Sequence, residues 1–208
     1  MQKLIQFDDK ESDLMYNTEL FPLKRQVNQK IYTLFEQIKS GLKDTAQHKQ
    51  FIFPMGTDSE TGKISQGENY LSYPWVLLDF PKLFNKQEIF AFRTLFWYGH
   101  YFSFSLVLAG TVAEFYIATI IRNRNLLKGR SLYFSIHEDA WQHVISEENC
   151  LLLDNMSDQM IQNHLKDRSY LKISGKISSF DAKEIYSKVE ELYIIFLNTL
   201  SGSTDTNH

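Results

Sequence analysis

Hydrophobic residues recur every three or four positions in two long stretches of the chain. The first stretch has six such positions: Leu23, Val27, Ile31, Leu34, Ile38 and Leu42. The second has five: Ile185, Val189, Leu192, Phe196 and Leu200. This spacing places each set on one face of an α-helix. We expect the first helix to end near His48, and the second to begin at Asp181, whose carboxylate suits a helix N-cap, and to stop at Gly202.

A different periodicity marks the middle of the chain, where the twenty residues from Thr94 to Ala113 carry no formal charge. That length would suffice for a helix across a bilayer. However, apolar residues here alternate with period two, which is typical of strands. One series is Phe90, Phe92, Thr94, Phe96, Phe102, Phe104, Leu106 and Leu108; between its members lie Ile89, Ala91, Arg93, Leu95, Trp97, Tyr101, Ser103, Ser105 and Val107. We therefore predict a β-hairpin and no membrane span.

Either of two turns could connect the strands of this hairpin. Gly99 and His100 suit a two-residue type II′ turn. A three-residue loop, Tyr98 to His100, would instead place the two Phe-rich series on the same side of the sheet. After the hairpin, Thr111 and Glu114 have the spacing of a capping box, and Gly129 suits the C-terminal cap of the helix that follows.

The remaining segments predict shorter elements. The run YPWVLLDFP, bracketed by Pro74 and Pro81, suits a strand buried on both faces. SLYFSI, NCLLLD and YLKISGKI are candidate strands, whereas EDAWQHVI and SDQMIQNHLK are candidate short helices, the latter capped by Ser157. The residues 51–73 are rich in glycine and turn formers and are predicted as one long loop.

These elements define the expected fold class, which is α+β. We expect an antiparallel sheet of about five strands, with a long N-terminal helix, a middle helix and a C-terminal helix packed on it. Residues 1–18 are expected to be loosely ordered, residues 19–200 to form a single domain, and residues 201–208 to be a disordered tail.

Composition narrows the functional classes. The chain has 22 basic and 25 acidic residues, a net charge of −3, and its longest basic cluster is Lys24-Arg25; this excludes a broad nucleic-acid surface. The single cysteine, Cys150, cannot form an internal disulfide. The first residues have no apolar run of signal-peptide length. We therefore expect a soluble, cytoplasmic protein with no nucleic-acid or membrane partner.

Motifs for catalysis or cofactors do not stand out. No Walker loop, dinucleotide-binding glycine pattern or nucleophile elbow occurs, so no cofactor is expected and enzymatic activity is left open. The sequence HEDAWQH resembles the start of a zinc-binding helix. However, His137 and His143 are six positions apart, which is about 600° around a helix, and they would face different sides. Asp139 and His143 have a four-residue helical spacing with Glu138 nearby, which would suit only a weak divalent-cation site. A solvated turn that enters a helix is the preferred interpretation, so no metal site is expected.

The best candidate for a ligand site is a set of polar and aromatic residues around the hairpin. It comprises Glu68, Tyr70, Asp79, Arg93, Trp97, His100 and Tyr101. Arg93 is the only charge in an otherwise apolar strand, where it needs solvent or a carboxylate partner. Either it pairs with Asp79 as a purely structural contact, or it orients an anion in an aromatic pocket.

Two hypotheses for function follow. In the first, the protein is a non-catalytic binding or interaction protein, whose aromatic-rich hairpin face contacts a protein partner or a second copy. That face would expose Ile89, Leu95, Trp97, Tyr101 and Val107. In the second, the protein is a small-molecule-binding protein or an enzyme, with a pocket under the 56–73 loop.

Overall fold

The structure is a computed structural model and describes residues 4–201. Seven β-strands and six α-helices occur in this part of the chain. In chain order they are α1 (Asp9–Tyr16), α2 (Leu20–Asp44), α3 (Ala46–Gln50), β1 (Lys63–Tyr70), β2 (Tyr73–Phe84), β3 (Ile89–Trp97), β4 (Tyr101–Ala109), α4 (Thr111–Arg122), β5 (Leu132–Ser135), β6 (Cys150–Leu152), α5 (Asp158–Asp167), β7 (Tyr170–Ile177) and α6 (Ala182–Leu200). The predicted stop at Gly202 and residues 202–208 of the predicted tail lie outside the described residues.

All seven strands form one antiparallel sheet in the order β1-β2-β3-β4-β7-β5-β6. The α+β class is confirmed, but the expected number of about five strands is too low. The main addition is β1, which lies where the sequence predicted a loop. Gly67 was taken there as a turn former; in β1 it makes room for the indole of Trp75, because an added Cβ would lie 2.5 Å from that ring.

The sheet has an apolar face and a polar face, because paired residues of adjacent strands point to the same side. The apolar face carries the Phe-rich series of β3 and β4, with Phe92 opposite Leu106 and Thr94 opposite Phe104. Helices α2, α4 and α6 cover it and supply much of the core, including the buried Phe35, Tyr193 and Phe196. The polar face carries one continuous row across five strands: Lys63, Asp79, Arg93, Ser105 and Ser174.

The turn of the β3–β4 hairpin is the three-residue loop, not the two-residue type II′ turn. Trp97 pairs with Tyr101, and Gly99 between them has a φ of 75°. Because the loop has an odd number of residues, Phe96 lies opposite Phe102 and both Phe series share the apolar face.

The capping box predicted at Thr111 is absent. Gly110 occupies the N-cap position of α4 and has no side chain to accept a hydrogen bond, so a residue from another part of the chain does so. Glu88 accepts a hydrogen bond from the Thr111 hydroxyl at 2.5 Å and another from the Val112 amide at 3.0 Å. Gly129 does not cap α4 either, since that helix ends at Arg122 with Asn123 as its C-cap, and a short 3-10 helix follows.

Other helix ends agree more closely with the sequence. Ser157 accepts a hydrogen bond from the Met160 amide at the start of α5, and Asp181 accepts from the first-turn amides of α6. Helix α2 ends at Asp44, a few residues before the predicted end, because Thr45 breaks it and caps the short α3 by accepting from the His48 amide. In the N-terminal segment expected to be loosely ordered, residues 9–16 form helix α1, none of whose residues is buried.

The structure contradicts one prediction about exposure and one about local structure. The hairpin face is not open: Leu95, Trp97 and Val107 are each at most 3% exposed. Tyr101 is also buried, and only Ile89 of that series is partly exposed. The segment EDAWQHVI is not a helix but irregular chain. Within residues 4–201, no helix is long and apolar enough to cross a membrane.

Candidate functional site

The polar face is covered at its centre by the irregular residues 137–149, which we call the covering segment. Two tyrosines of the sheet hold it. The Tyr70 hydroxyl accepts from the His143 amide at 2.8 Å and donates to the Gln142 side chain. The Tyr101 hydroxyl accepts from the Ile145 amide at 2.9 Å and donates to the His143 carbonyl at 3.0 Å. Each tyrosine thus satisfies backbone groups that would otherwise need a helix or strand partner.

Strand β7 supplies a third anchor. The Lys172 ammonium donates to the Gln142 carbonyl at 2.6 Å and to the Ala140 carbonyl at 3.1 Å. The Tyr170 hydroxyl donates to the His137 carbonyl. Side chains from three strands therefore fix the covering segment without regular secondary structure.

An open cleft of about 690 Å³ lies between the covering segment and strands β1 to β3. This volume is in the range of pockets for small molecules. Its aromatic residues are Tyr70, Trp75, Phe84 and Trp141, and its charged residues are Lys63, Asp79, Arg93 and Asp139. The Phe84 and Trp141 rings meet edge to face at 5.7 Å, and both side chains remain more than a third exposed. The cleft therefore presents aromatic surface to solvent beside a charged floor.

Arg93 and Asp79 form the floor of the cleft. Arg93 Nε lies 2.7 Å from Asp79 Oδ1 and Arg93 Nη2 lies 2.8 Å from Asp79 Oδ2, so the pair is bidentate. The two residues are direct partners in the β2–β3 register. The Trp141 ring lies over the guanidinium with its centroid 4.7 Å away, which adds a cation–π contact. Arg93 and Asp79 therefore pair, which was one of the two alternatives that the sequence left open.

His143 lies between two cations. Its Nε2 is 3.4 Å from Arg93 Nη1, and its Nδ1 is 3.4 Å from Lys172 Nζ. Burial, with Lys172 and Arg93 alongside, holds the pKa of His143 well below its usual value, so the imidazole is neutral at pH 7. A neutral imidazole has one N–H, so it can accept a hydrogen bond from only one of these two cations.

Lys172 is also perturbed. Only 4% of the residue is exposed, and burial, followed by the nearby charge of Arg93, lowers the pKa of its ammonium to about 8. Its two carbonyl partners satisfy most of its donors. Lys172 therefore places a positive charge directly behind His143 at neutral pH.

Two cationic side chains of the cleft, Lys63 and Arg93, have donors that no strong hydrogen bond within residues 4–201 uses. Both oxygens of Asp79 are occupied by Arg93, and one oxygen of Asp139 accepts from the Trp141 amide at 2.8 Å. By contrast, Lys63 has no ion pair among the described residues, and Arg93 Nη1 has only the long contact with His143. The cleft can therefore offer the N–H groups of Lys63 and Arg93 to a ligand.

The structure brings together only some of the residues that the sequence proposed as a site. Tyr70, Asp79 and Arg93 line the cleft. Trp97 and Tyr101 lie under the covering segment in a second apolar cluster with Leu77 and Leu95. Glu68 and His100 lie outside the cleft.

Glu68 pairs with Lys24 of α2 and lines a separate polar groove of about 430 Å³ between α2 and β1. The His100 ring stacks on Trp97 at 3.5 Å, at the tip of the hairpin. The cleft is roofed by the covering segment, and not by the 56–73 loop as the second hypothesis supposed. Lys63 and Tyr70, in the part of that loop that forms β1, contribute one wall instead.

Sequence reasoning missed Trp141, His143 and Lys172. His143 was considered only as a metal ligand, and Lys172 only as the outward position of an alternating strand. The pattern of Lys172, Ser174 and Lys176 does mark a polar face, but it does not indicate that another segment covers it. In the described part of the chain, no three His, Cys, Asp or Glu side chains are arranged to hold a metal ion.

Cys150 lies at the start of β6 and is buried. Burial raises the pKa of its thiol, so the thiol stays protonated at pH 7. Its nearest hydrogen-bond partner is the Val144 carbonyl, at 3.9 Å from Sγ. This environment suits packing and not nucleophilic attack.

Comparison with known proteins yields no match to a protein family, to a curated protein or to a solved structure.

Proposed function

We propose that the chain is a small-molecule-binding protein whose ligand has a flat, apolar body and an anionic group. The observation that carries this proposal is the cleft itself, where a solvent-exposed Trp141 lies over the buried Arg93. An exposed aromatic wall beside fixed charged groups is the usual composition of a ligand site.

The apolar body of the ligand would contact the rings of the cleft. Trp141 and Phe84 form one wall, while Tyr70 and Trp75 line the strands opposite. The backbone positions of these rings are fixed, three by strands and one by the anchored covering segment. The site therefore needs little reorganisation to accept a planar molecule.

The anionic group would lie toward Lys63 and Arg93. Asp79 lies between these two residues in one row of the sheet and is the direct strand partner of each. Among the charged residues of the cleft, Asp79 and Asp139 balance Arg93 and Lys63. Lys172 adds a further positive charge behind His143, so the surroundings of the cleft carry one positive charge in excess. An acceptor group such as a carboxylate complements this excess of positive charge.

The hypothesis of a protein interface on the hairpin face has less support. It required Leu95, Trp97 and Tyr101 to be exposed, and the covering segment buries them within the same chain. The second hypothesis from the sequence is therefore preferred, in its non-catalytic form.

Indole-3-carboxylate and its neutral analogue indole-3-carboxamide test the proposal as a matched pair. Calorimetric titration of the full chain should give a tighter Kd for the carboxylate, and added salt should reduce that preference. Replacing Trp141 with Leu should weaken binding of both compounds about fivefold to tenfold, because it removes the stacking wall. Lys63→Gln should weaken only the carboxylate.

Phe115→Leu is the control variant, because Phe115 is 74% exposed on α4 and lies outside the cleft. It should bind both compounds as the unaltered protein does. Equal affinity for carboxylate and carboxamide would contradict the anionic part of the proposal. Unchanged affinity in Trp141→Leu would contradict the location of the site.

A further inference from the structure

Exposed apolar side chains are concentrated at the N-terminal end of the described chain. Nine of the nineteen exposed large hydrophobic residues lie within residues 4–23. Six of them belong to residues 4–16, which we call the arm: Leu4, Ile5, Phe7, Leu14, Met15 and Tyr16. All six are at least 51% exposed, and helix α1 within the arm buries no residue. Such a concentration usually marks a contact surface.

The arm is held away from the body of its own chain by a hydrogen-bonded corner. Asn17 Oδ1 accepts from the Glu19 amide at 2.9 Å and from the Leu20 amide at 2.8 Å, at the start of α2. The Asn17 amide donates to the Leu14 carbonyl at 3.2 Å and closes α1. This corner fixes the direction in which α1 leaves α2, so the arm does not fold back.

The same chain has an unfilled apolar groove of suitable character. It has a volume of about 260 Å³ and lies between α2 and the start of α6. Its walls include Val27, Ile31, Phe96, Phe102, Phe180 and Ile185. Phe180, at its edge, is 66% exposed. This groove lies on the helical side of the sheet, whereas the ligand cleft lies on the polar face.

The arm is acidic, and the α2 wall of the groove carries a lysine. The arm carries four acidic residues, Asp8, Asp9, Glu11 and Asp13, against Lys10, for a net charge of −3. Lys30 lines the groove and has no ion pair among the described residues. An acidic helix approaching this wall gains a favourable electrostatic contact.

The area available is sufficient for a stable contact. Consecutive residues of α1 point about 100° apart, so only about half of the six apolar side chains can face one groove. Three side chains that each bury about 100 Å² would remove roughly 300 Å² of one arm from water. Counting the groove surface and two reciprocal contacts, the total reaches about 1,200 Å², the lower limit for specific interfaces. A single arm in a single groove would be only marginal.

We propose that the arm of one copy docks in the groove between α2 and α6 of a second copy, and that the exchange is reciprocal. Both copies then use the same two surfaces, which gives a closed two-fold dimer. This inference does not depend on the proposed ligand, since the cleft lies on the other face of the sheet.

Light scattering after size exclusion tests the proposal on the full chain. The protein should have twice the chain mass of 24.5 kDa at micromolar concentration. Leu14→Asp in the arm and Phe180→Asp at the groove edge should each weaken the dimer at least tenfold. Phe115→Asp is the matched control, because Phe115 is equally exposed and lies outside both surfaces; it should remain dimeric.

Mixing the two disrupted variants tests the exchange itself. An equimolar mixture of Leu14→Asp and Phe180→Asp retains one intact arm and one intact groove in each mixed pair. It should associate more strongly than either variant alone. All three substituted residues are more than half exposed, so circular dichroism should show unchanged folding.

Three results would overturn the proposal. The first is a monomer at about 100 μM in the unaltered protein. The second is a dimer that neither Leu14→Asp nor Phe180→Asp weakens. The third is a mixture that associates no better than its components, which would place the arm on a surface other than this groove.

Discussion

The buried pair of Asp79 and Arg93 allows a quantitative test by a double-mutant cycle. Asp79→Leu removes the carboxylate, Arg93→Met removes the guanidinium, and the double variant replaces both by apolar side chains of similar length. Asp79 is 4% exposed and Arg93 is 9% exposed. Each single variant therefore leaves the other charge with little access to water.

The expected magnitudes follow from this burial. Breaking a buried pair by removing one partner typically costs about 3 to 5 kcal/mol. Arg93→Met should fall in the upper part of this range, because it also removes the contact with Trp141 and leaves both oxygens of Asp79 without their donors. The double variant should cost about 2 kcal/mol or less, because no unpaired charge remains. The coupling free energy, which is the sum of the two single costs less the cost of the double variant, should then be at least about 4 kcal/mol.

Urea unfolding at pH 7, followed by circular dichroism, gives the free energy of unfolding of each variant. The exposed ion pair between Lys43 and Glu60 is the control, with side chains 35% and 70% exposed. Glu60→Gln should cost less than about 1 kcal/mol. Additive effects of the two cleft substitutions, each below about 1 kcal/mol, would refute the reasoning that the pair is desolvated.

Further predictions concern pH, the hairpin and a helix cap. Lys172 has a pKa of about 8 in the folded chain and near 10.5 in the unfolded chain, so between these values the unfolded state binds more protons and the free energy of unfolding should rise with pH. Urea unfolding at several pH values should show a rise on the order of 1 to 2 kcal/mol from pH 8 toward 10. Lys172→Met should lack this rise. His143 stays neutral in the folded chain, so below about pH 6.5 the unfolded state takes up the proton and stability should fall; His143→Gln should reduce that slope by about one proton in the same titration. Gly99→Val should cost more than about 1 kcal/mol in thermal unfolding, because a β-branched residue tolerates a φ of 75° poorly. Glu88→Ala should lower the melting temperature more than Thr111→Ala, because Glu88 and not Thr111 caps α4. The opposite order would indicate that the Thr111 side chain caps the helix, as the sequence predicted.

The hairpin could be predicted from the sequence because its two faces differ in composition. Phe92 and Phe104 alternate with Arg93 and Ser105, and this contrast survives whichever turn joins the strands. The sequence does not determine which turn joins the two strands, because Gly99 suits both a two-residue and a three-residue loop. The register follows only from the pairing of the whole sheet.

Strand β1 escaped prediction for a physical reason. It lies at the edge of the sheet, where only one side of its backbone pairs with another strand. Its sequence also has a low propensity for β-structure. Its Gly67 suggests a turn in isolation, and only the neighbouring Trp75 explains it. The cap of α4 escaped for a similar reason: Glu88 is distant in sequence from Val112, so no local pattern contains it.

The candidate site was partly predictable. A lone Arg93 in an apolar strand needs solvent or a carboxylate partner, and Asp79 was one of the alternatives that the sequence offered. The roof of the cleft could not be identified, because residues 137–149 are shaped by Tyr70, Tyr101 and Lys172 and not by their own periodicity. For the same reason, the hairpin face was expected to be exposed although this segment buries it.

The way in which the covering segment is anchored has a consequence for the timing of folding. Tyr70, Tyr101 and Lys172 belong to strands that are far apart in sequence, and they meet only after β1, β4 and β7 have joined one sheet. Contacts of such long sequence separation form slowly, because the intervening chain must first be closed into loops. The segment should therefore order after the helical core, and it can detach without unfolding that core. The cleft should thus form late in folding. Its lifetime should depend on these side-chain hydrogen bonds and on the packing of Val144 and Ile145 against the sheet, and not on the stability of the helical core.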